Sequence, residues 1–389
     1  MSNKIYRNKR RIKSDRYLDA PLFGPRFLSK KVNLFYITFL IALLKSGIWV
    51  FPAIYASFVI SQQPFMQPFS NPADQYLMTT WFSSYFAYIL GIKTLASFIF
   101  LHFLFAVSAV HLLFKYIRKN VDLSVQGKSL LLFAILPAVS TIFYWVGMDS
   151  FTLLLMVLFL NMRKLPHITI VIGIIGGLHH FEILFVSATS LCVFEIIRGN
   201  FKSRAKEVQS TLSFTLGIFL GKMLLSFIFK TNDVLISRNR VSIGVDGLKS
   251  NLALISEFGL VIYWSMLGVI WFVLVNALVK RNRDSLALFV SLLIPVFVVF
   301  FVRDSSRVIQ LTSFLTIAVG VLSNNKILEN ISIKQIKVIL IFWLLIPWVW
   351  VWQRVFGSNT LFTMKYVISR LFGSDLAPWT GNISMWPFS

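Results

Sequence analysis

Residues 61–90 read SQQPFMQPFSNPADQYLMTTWFSSYFAYIL, between two apolar runs, 33–54 and 96–117, each about long enough to cross a bilayer as a helix. The intervening segment is too polar and too rich in proline to lie in lipid, yet it is crowded with aromatic residues. Pro64, Pro68 and Pro72 oppose helix formation early in the segment. Asp74 then opens a run, 75–90, whose pattern predicts an amphipathic helix lying in the interface. Its Trp81, Tyr85 and Tyr88 are residue types that settle at headgroup level. A connection of this length between two spans usually has a task. Asp74 is the only acidic residue in it, so any chemistry in this loop begins there.

The rest of the chain carries the same alternation. Of 389 residues, 57% are hydrophobic and only 14% charged, a composition that excludes a soluble domain. Apolar runs separated by short basic clusters predict an all-α polytopic membrane protein. Eleven spans are expected, at 33–54, 96–117, 129–148, 149–162, 167–179, 182–197, 208–229, 257–279, 285–302, 305–323 and 336–352. A basic arm, 1–32, precedes them and a tail, 353–389, follows. In that tail, residues 361–372, Trp379 and Trp386 are expected at the membrane surface.

A net charge of +23 would suggest nucleic acid in a soluble protein, but its placement here assigns it to membrane topology. With the N-terminus in the cytoplasm, 26 of the 38 lysines and arginines fall on the cytoplasmic side, as the positive-inside rule requires. Nucleic acid is therefore not an expected partner, whereas membrane lipid is. The single cysteine, Cys192, allows neither an intrachain disulfide nor a CxxC metal site. No cleaved signal peptide is expected, because the first apolar run is too long and lacks a small-residue cleavage site.

Spans 149–162, 167–179 and 182–197 are short, and a re-entrant hairpin is the competing reading for the first two. Counted from Arg163 and from Pro166, they place Asp149, His179, His180 and Glu182 below the outer surface, inside protein rather than lipid. Gly173, Gly176 and Gly177 give close helix packing. The second outer loop, 230–256, has Arg238 and Arg240 at its centre, and FVRDSSRVIQL brings Arg303, Asp304 and Arg307 together at the start of a span. All of these residues fall on the outer side, and ionisable groups at membrane depth suggest a substrate path or site. Carboxylates can take a proton from a hydroxyl, and arginines hold phosphate as a planar fork. The alternative is packing, with Asp304 paired to Arg307 and Glu182 to His179. Lys45, deep in the first span, either snorkels or meets a lipid phosphate. The order His179-His180-x-Glu182 lacks HExxH spacing, so no tightly bound metal is expected, although a loosely bound divalent ion is compatible with the sequence.

An acidic residue in a long first outer loop with interface helices, followed by many spans, resembles the GT-C class of integral membrane glycosyltransferases. The run YWVGMDSFTLLLMVLFL, 144–160, is similar to a segment of that class in which an Asp begins a short apolar helix. The resemblance covers roughly residues 30–200 and is one of pattern. It implies a polyprenyl-phosphate-linked sugar as donor, a glycan or lipid-linked acceptor, and work on the extracytoplasmic face, here of a bacterial plasma membrane. It places Asp74 at the catalytic acidic position and Asp149 on the inner wall of the site. The phosphate-binding residues would be Arg238, Arg240, Arg303, Arg307 and Lys45, with His179, His180, Glu182 and Asp304 supporting. Many members of the class have a paired acidic motif in the first loop, whereas Ala73 and Gln75 flank Asp74 here. Two other readings stand beside this one. A polysaccharide polymerase or ligase with a polyprenyl-diphosphate donor would lean on the arginines. A lipid or solute transporter would show internal repeats and a midplane site, which the sequence lacks.

Overall fold

The computed structural model describes residues 30–359 apart from 52, 72–74, 200–203, 237–243, 246, 281–282, 303, 347 and 353–354. Within them the chain is almost wholly helical. Seven helices are long and apolar enough to cross a membrane: Leu95–Asn120, Gln126–Tyr144, Pro166–Arg198, Ala205–Thr231, Leu248–Val279, Arg283–Phe301 and Ser305–Leu322. Val32–Ser46 and Met148–Met162 are shorter apolar helices.

The first helix, α1 (Lys30–Ser46), is shorter than the expected span 33–54. It stops at Gly47, whose φ of 80° lies in the left-handed region. The chain then runs extended beside the break between α6 (Pro137–Tyr144) and α7 (Met148–Met162). Trp49 donates to the Phe143 carbonyl at 3.1 Å, Val146 to Trp49 at 2.9 Å, and Phe51 to Val146 at 3.1 Å. This parallel bridge satisfies backbone groups that lipid would leave bare, so the unwound backbone is tolerated inside protein. The helix α2 (Ile54–Gln62), a 3₁₀ turn (Gln75–Thr80) and α3 (Trp81–Ile89) follow. The expected continuous helix over 75–90 is therefore two pieces. They pack on Leu178, Leu225 and Phe229 through Leu77, Met78 and Trp81.

α4 (Leu95–Asn120) shows how clearly some elements are signalled. Thr94 caps it by accepting from Ser97 N at 3.2 Å, and Arg118 and Lys119 close its last turn against the helix dipole. Its 26 residues extend about 39 Å, enough to cross the hydrocarbon layer. α5 (Gln126–Ala134) is separated from α6 by Pro137, which occupies the first turn of α6, where its missing N–H is harmless. α7 has only 15 residues, about 22 Å against a core of about 30 Å.

α8 (Pro166–Arg198) has 33 residues and would measure about 50 Å if straight. It is not straight. His180 leaves helical geometry (φ −148°, ψ 70°), Gly176 abuts Leu184, and Arg163, just before the helix, pairs with Glu195 near its far end. The chain doubles back at His180, which divides the helix into two arms. α9 (Ala205–Thr231) lies against both arms. Gly173 and Gly177 face Gly217 and Gly221 so closely that a Cβ on any of the four would strike backbone. Such small-residue seams let helices associate in lipid by backbone contact.

α10 (Leu248–Leu267) bends at Phe258 and turns at Gly268 (φ 54°) into α11 (Trp271–Val279). α12 (Arg283–Val298) contains Pro295; α13 (Ser305–Ile317) ends in a π turn, and α14 (Asn325–Glu329) follows. α15 (Ile333–Leu345) starts with a Ser332/Gln335 capping box. The expected span 336–352 is corrected here. The helix stops at Leu345, and β1 (Trp348–Trp352) pairs antiparallel with β2 (Val355–Asn359). The alternating Trp and Val of WVWVW suit a strand, and Ile346, before a proline, is extended (φ −78°, ψ 130°). The expected tail features at 361–372, Trp379 and Trp386 lie outside the described residues.

Side-chain contacts give the bundle two distinct ends. At one, Asp149, His179 and Arg307 gather. At the other, Arg163 pairs with Glu195, Arg198 with Asp284 at 3.1 Å, and Asn324 donates to Asp284 at 3.0 Å.

Candidate functional site

At the Asp149 end, three interruptions of regular structure meet. α7 starts after Gly147 and carries Asp149 in its first turn, 3% exposed. α13 starts after Asp304 and carries Arg307 in its first turn. The unwound stretch between α1 and α2 contributes Phe51. Arg307 Nη1 lies 3.0 Å from Asp149 Oδ2, and its Nε lies 2.6 Å from Asp304 Oδ2. Its guanidinium carbon sits 5.0 Å from the Phe51 ring centroid, and the Tyr76 phenol is near enough to interact electrostatically. Both carboxylates stand at helix N-termini, where the backbone dipoles favour negative charge. Burial pushes the Asp304 carboxyl up to about 6, the nearby Asp149 charge pushes the same way, and Arg307 opposes both.

The hairpin tip of α8 braces this centre. His179 Nε2 is 3.0 Å from the Met148 carbonyl, and its ring stands edge-on to Phe151 at 4.9 Å. His180 is buried at the reversal itself. Ser306 ties α13 to β1, accepting from Val351 N at 2.9 Å. Beyond Phe51 lies an aromatic cluster of Trp49, Tyr144, Trp145, Trp348 and Trp350.

Of the residues expected at a site, Asp149, Asp304 and Arg307 converge, and His179 reaches them through the α7 backbone. Two others go elsewhere. Glu182, expected beside His179, instead faces Lys222 at 3.9 Å, and Lys222 lies over the Phe181 ring. Lys45, expected to meet phosphate, donates to the carbonyls of Trp343 and Ile346 and caps the end of α15. Asp74, Arg238, Arg240 and Arg303 lie outside the described residues. Among the described residues no three His, Cys, Asp or Glu side chains gather as a metal site.

Sequence reading missed two features. Phe51 and Tyr76 look like ordinary interface aromatics until the fold sets them beside Arg307. The ion pairs at the opposite end were also missed, although a glutamate near the end of an apolar run, Glu195, was a usable signal. There Glu195 bridges Arg163 and Arg204, the latter at 3.7 Å. Burial pulls the Arg163 guanidinium below its ordinary range.

Fold and site together define an all-α multi-pass membrane protein with a buried carboxylate–guanidinium centre. Comparison of the chain with protein-family models, curated proteins and solved structures finds no match to any of them.

Proposed function

We propose that the protein is a membrane glycosyltransferase moving a sugar from a polyprenyl-phosphate-linked donor to a glycan or lipid-linked acceptor. In this reading the chain makes eleven full or partial crossings with its N-terminus in the cytoplasm. The Asp149 end faces the extracytoplasmic side of a bacterial plasma membrane. One observation carries the proposal: the segment joining α1 to α4 folds as short helices over a buried aspartate that opens a short apolar helix. That is the arrangement the GT-C resemblance implies. Asp74 acts as base on the acceptor hydroxyl, and Arg238, Arg240 and Arg303 steady the departing phosphate, a form of electrostatic stabilisation that supplies much of the acceleration in such reactions. Arg307 fixes Asp149 and Asp304. A diphosphate-linked donor would fit a polymerase or ligase of the same type.

The test is release of polyprenyl phosphate from a panel of polyprenyl-phosphate hexoses by the purified protein, compared with Asp74→Asn. A base loses about 10²–10⁴-fold in rate on this change, whereas a helix cap does not, since Asn caps as well as Asp. Near-normal turnover by Asp74→Asn would pass the role to Asp149.

A transporter is the second reading, and the unwound stretch Gly47–Phe51 paired with Val146 beside a buried charge favours it. Substrate movement into proteoliposomes without any donor cleavage would select it.

A further inference from the structure

Most of the hydrogen-bonding capacity left over in the Asp149–Arg307–Asp304 centre is that of an acceptor; the donors left are the Ser305 hydroxyl and Arg307 Nε, which is 2.6 Å from Asp304 Oδ2 but not aligned for a hydrogen bond. Arg307 engages both carboxylates, one through Nη1 and one through Nε, so among the described residues one positive charge faces two negative ones. Asp149 Oδ1, Asp304 Oδ1 and Ser305 Oγ are each buried without a partner, and Ser305 lies between Asp304 and Arg307 on the first turn of α13. A buried polar atom with no partner is costly, and native structures seldom leave three together.

What can supply donors there is limited by charge. An anion would add a third negative charge in a low-dielectric setting, beside a guanidinium whose single charge is already shared by two carboxylates. A metal ion or ammonium group would sit against the guanidinium, and no third acidic, histidine or cysteine ligand is grouped here among the described residues. A hydroxyl avoids both penalties. It donates to a carboxylate, brings no charge, and can also donate to or accept from Ser305. The side chains of Asp304 and Arg307 each keep 14% of their surface exposed, against 3% for Asp149, so an entering molecule meets Asp304 first.

We infer that this centre receives a neutral, hydroxyl-rich ligand, a sugar ring bound through its hydroxyls to Asp149 and Asp304, and that it does not hold the donor phosphate. Assigning that ring to the glycosyl acceptor rests on the transferase reading. The binding chemistry does not. Arg307 is therefore a positioning residue that orients two acceptor carboxylates, and phosphate is held elsewhere.

The full chain in lipid nanodiscs tests this by saturation-transfer NMR. The probes are methyl glycosides of the common neutral hexoses, glucose 1-phosphate, inorganic phosphate and magnesium chloride. At least one neutral glycoside should bind saturably, and Asp149→Asn and Asp304→Asn should each weaken it about tenfold, the value of one hydrogen bond to a charged group. Melting curves check that the variants fold. Should Asp149→Asn fail to fold, Asp304→Asn, at the more exposed position, decides alone. Inorganic phosphate, followed by its phosphorus-31 linewidth, should gain Arg307-dependent binding in Asp304→Asn and show none in the wild type. The inference falls if glucose 1-phosphate binds the wild type and Arg307→Lys weakens it. It also falls if magnesium displaces the glycoside in an Asp149-dependent way, or if no neutral glycoside signal depends on either aspartate. Glycoside binding without donor cleavage would retire the transferase reading and leave this inference standing.

Discussion

Arg307 holds two carboxylates with one charge, and that imbalance governs what each substitution does. Arg307→Ala would strand both aspartates in a buried site and should destabilise the protein by about 3–5 kcal/mol. Arg307→Lys keeps the charge but not the planar fork, so its melting temperature should fall between wild type and Ala. Thermal melting in detergent ranks the three. A wild-type-like Ala variant would mean that the ion pairs contribute little. The pH dependence belongs to Asp304. Its carboxyl titrates near 6 in the folded chain and near its ordinary 3.8 when unfolded. Between these values the folded chain keeps a proton that the unfolded chain has released, so this group's contribution to stability falls as pH rises from about 4 to about 6 and is level above. Asp304→Asn should remove that part of the slope in melting temperature. At this scale the sequence marked Asp149, Asp304 and Arg307 individually, because ionisable residues at the ends of apolar runs stand out. The pairing of Asp304 with Arg307, three residues apart, was also readable, but the partner of Asp149 was not. Asp149 and Arg307 are distant in sequence, and no local periodicity encodes a contact between the starts of two helices. Glu182 faced an equally open choice between His179 and Lys222, decided only by the packing of α9 against the hairpin.

The hairpin of α8 and its seam with α9 make a prediction with opposite signs at two glycines. Gly177→Ala places a methyl against the Ile218 carbonyl and must push the helices apart. Gly259→Ala, in α10, finds its nearest neighbour at 3.6 Å, ordinary contact, and gains helix propensity of about 0.5–1 kcal/mol. The first should lower the melting temperature and the second leave it level or raise it. Equal effects would show that the glycine seam is not a tight contact. Elements with intact periodicity and end signals, such as α4 with Thr94 and its terminal Arg118 and Lys119, were legible to within a few residues. Where the reading failed, it treated apolar length as helix. Residues 336–352 are apolar enough for a span, yet WVWVW alternates at a strand's period, and Ile346 precedes a proline. Residues 33–54 hid a break because Gly47 alone signals it, and its stabilising partner, Val146, belongs to another break far along the chain.

For the whole molecule, the distribution of basic residues makes the expected orientation testable. In a Cys192→Ser background, single cysteines at Ser70 and Lys249 should react with a membrane-impermeant reagent added to intact cells. Cysteines at Lys119 and Lys164 should not. Reaction at Lys164 would invert the bundle and place the Asp149 centre in the cytoplasm. The membrane class was readable from composition because the bilayer demands long apolar helices with satisfied backbones. The chemistry was less readable, since a site in such a protein consists of a few polar residues whose meeting depends on how all the helices pack. The most direct measurement of the central claim is the rate of polyprenyl phosphate release from polyprenyl-phosphate hexoses in proteoliposomes, wild type against Asp74→Asn, each with its melting curve. Release by the wild type should be measurable, and the folded variant should lose at least about 100-fold, at the lower end of losses for a positioned catalytic group. Equal release by the two proteins, or none from any donor by a folded wild type, would contradict that claim.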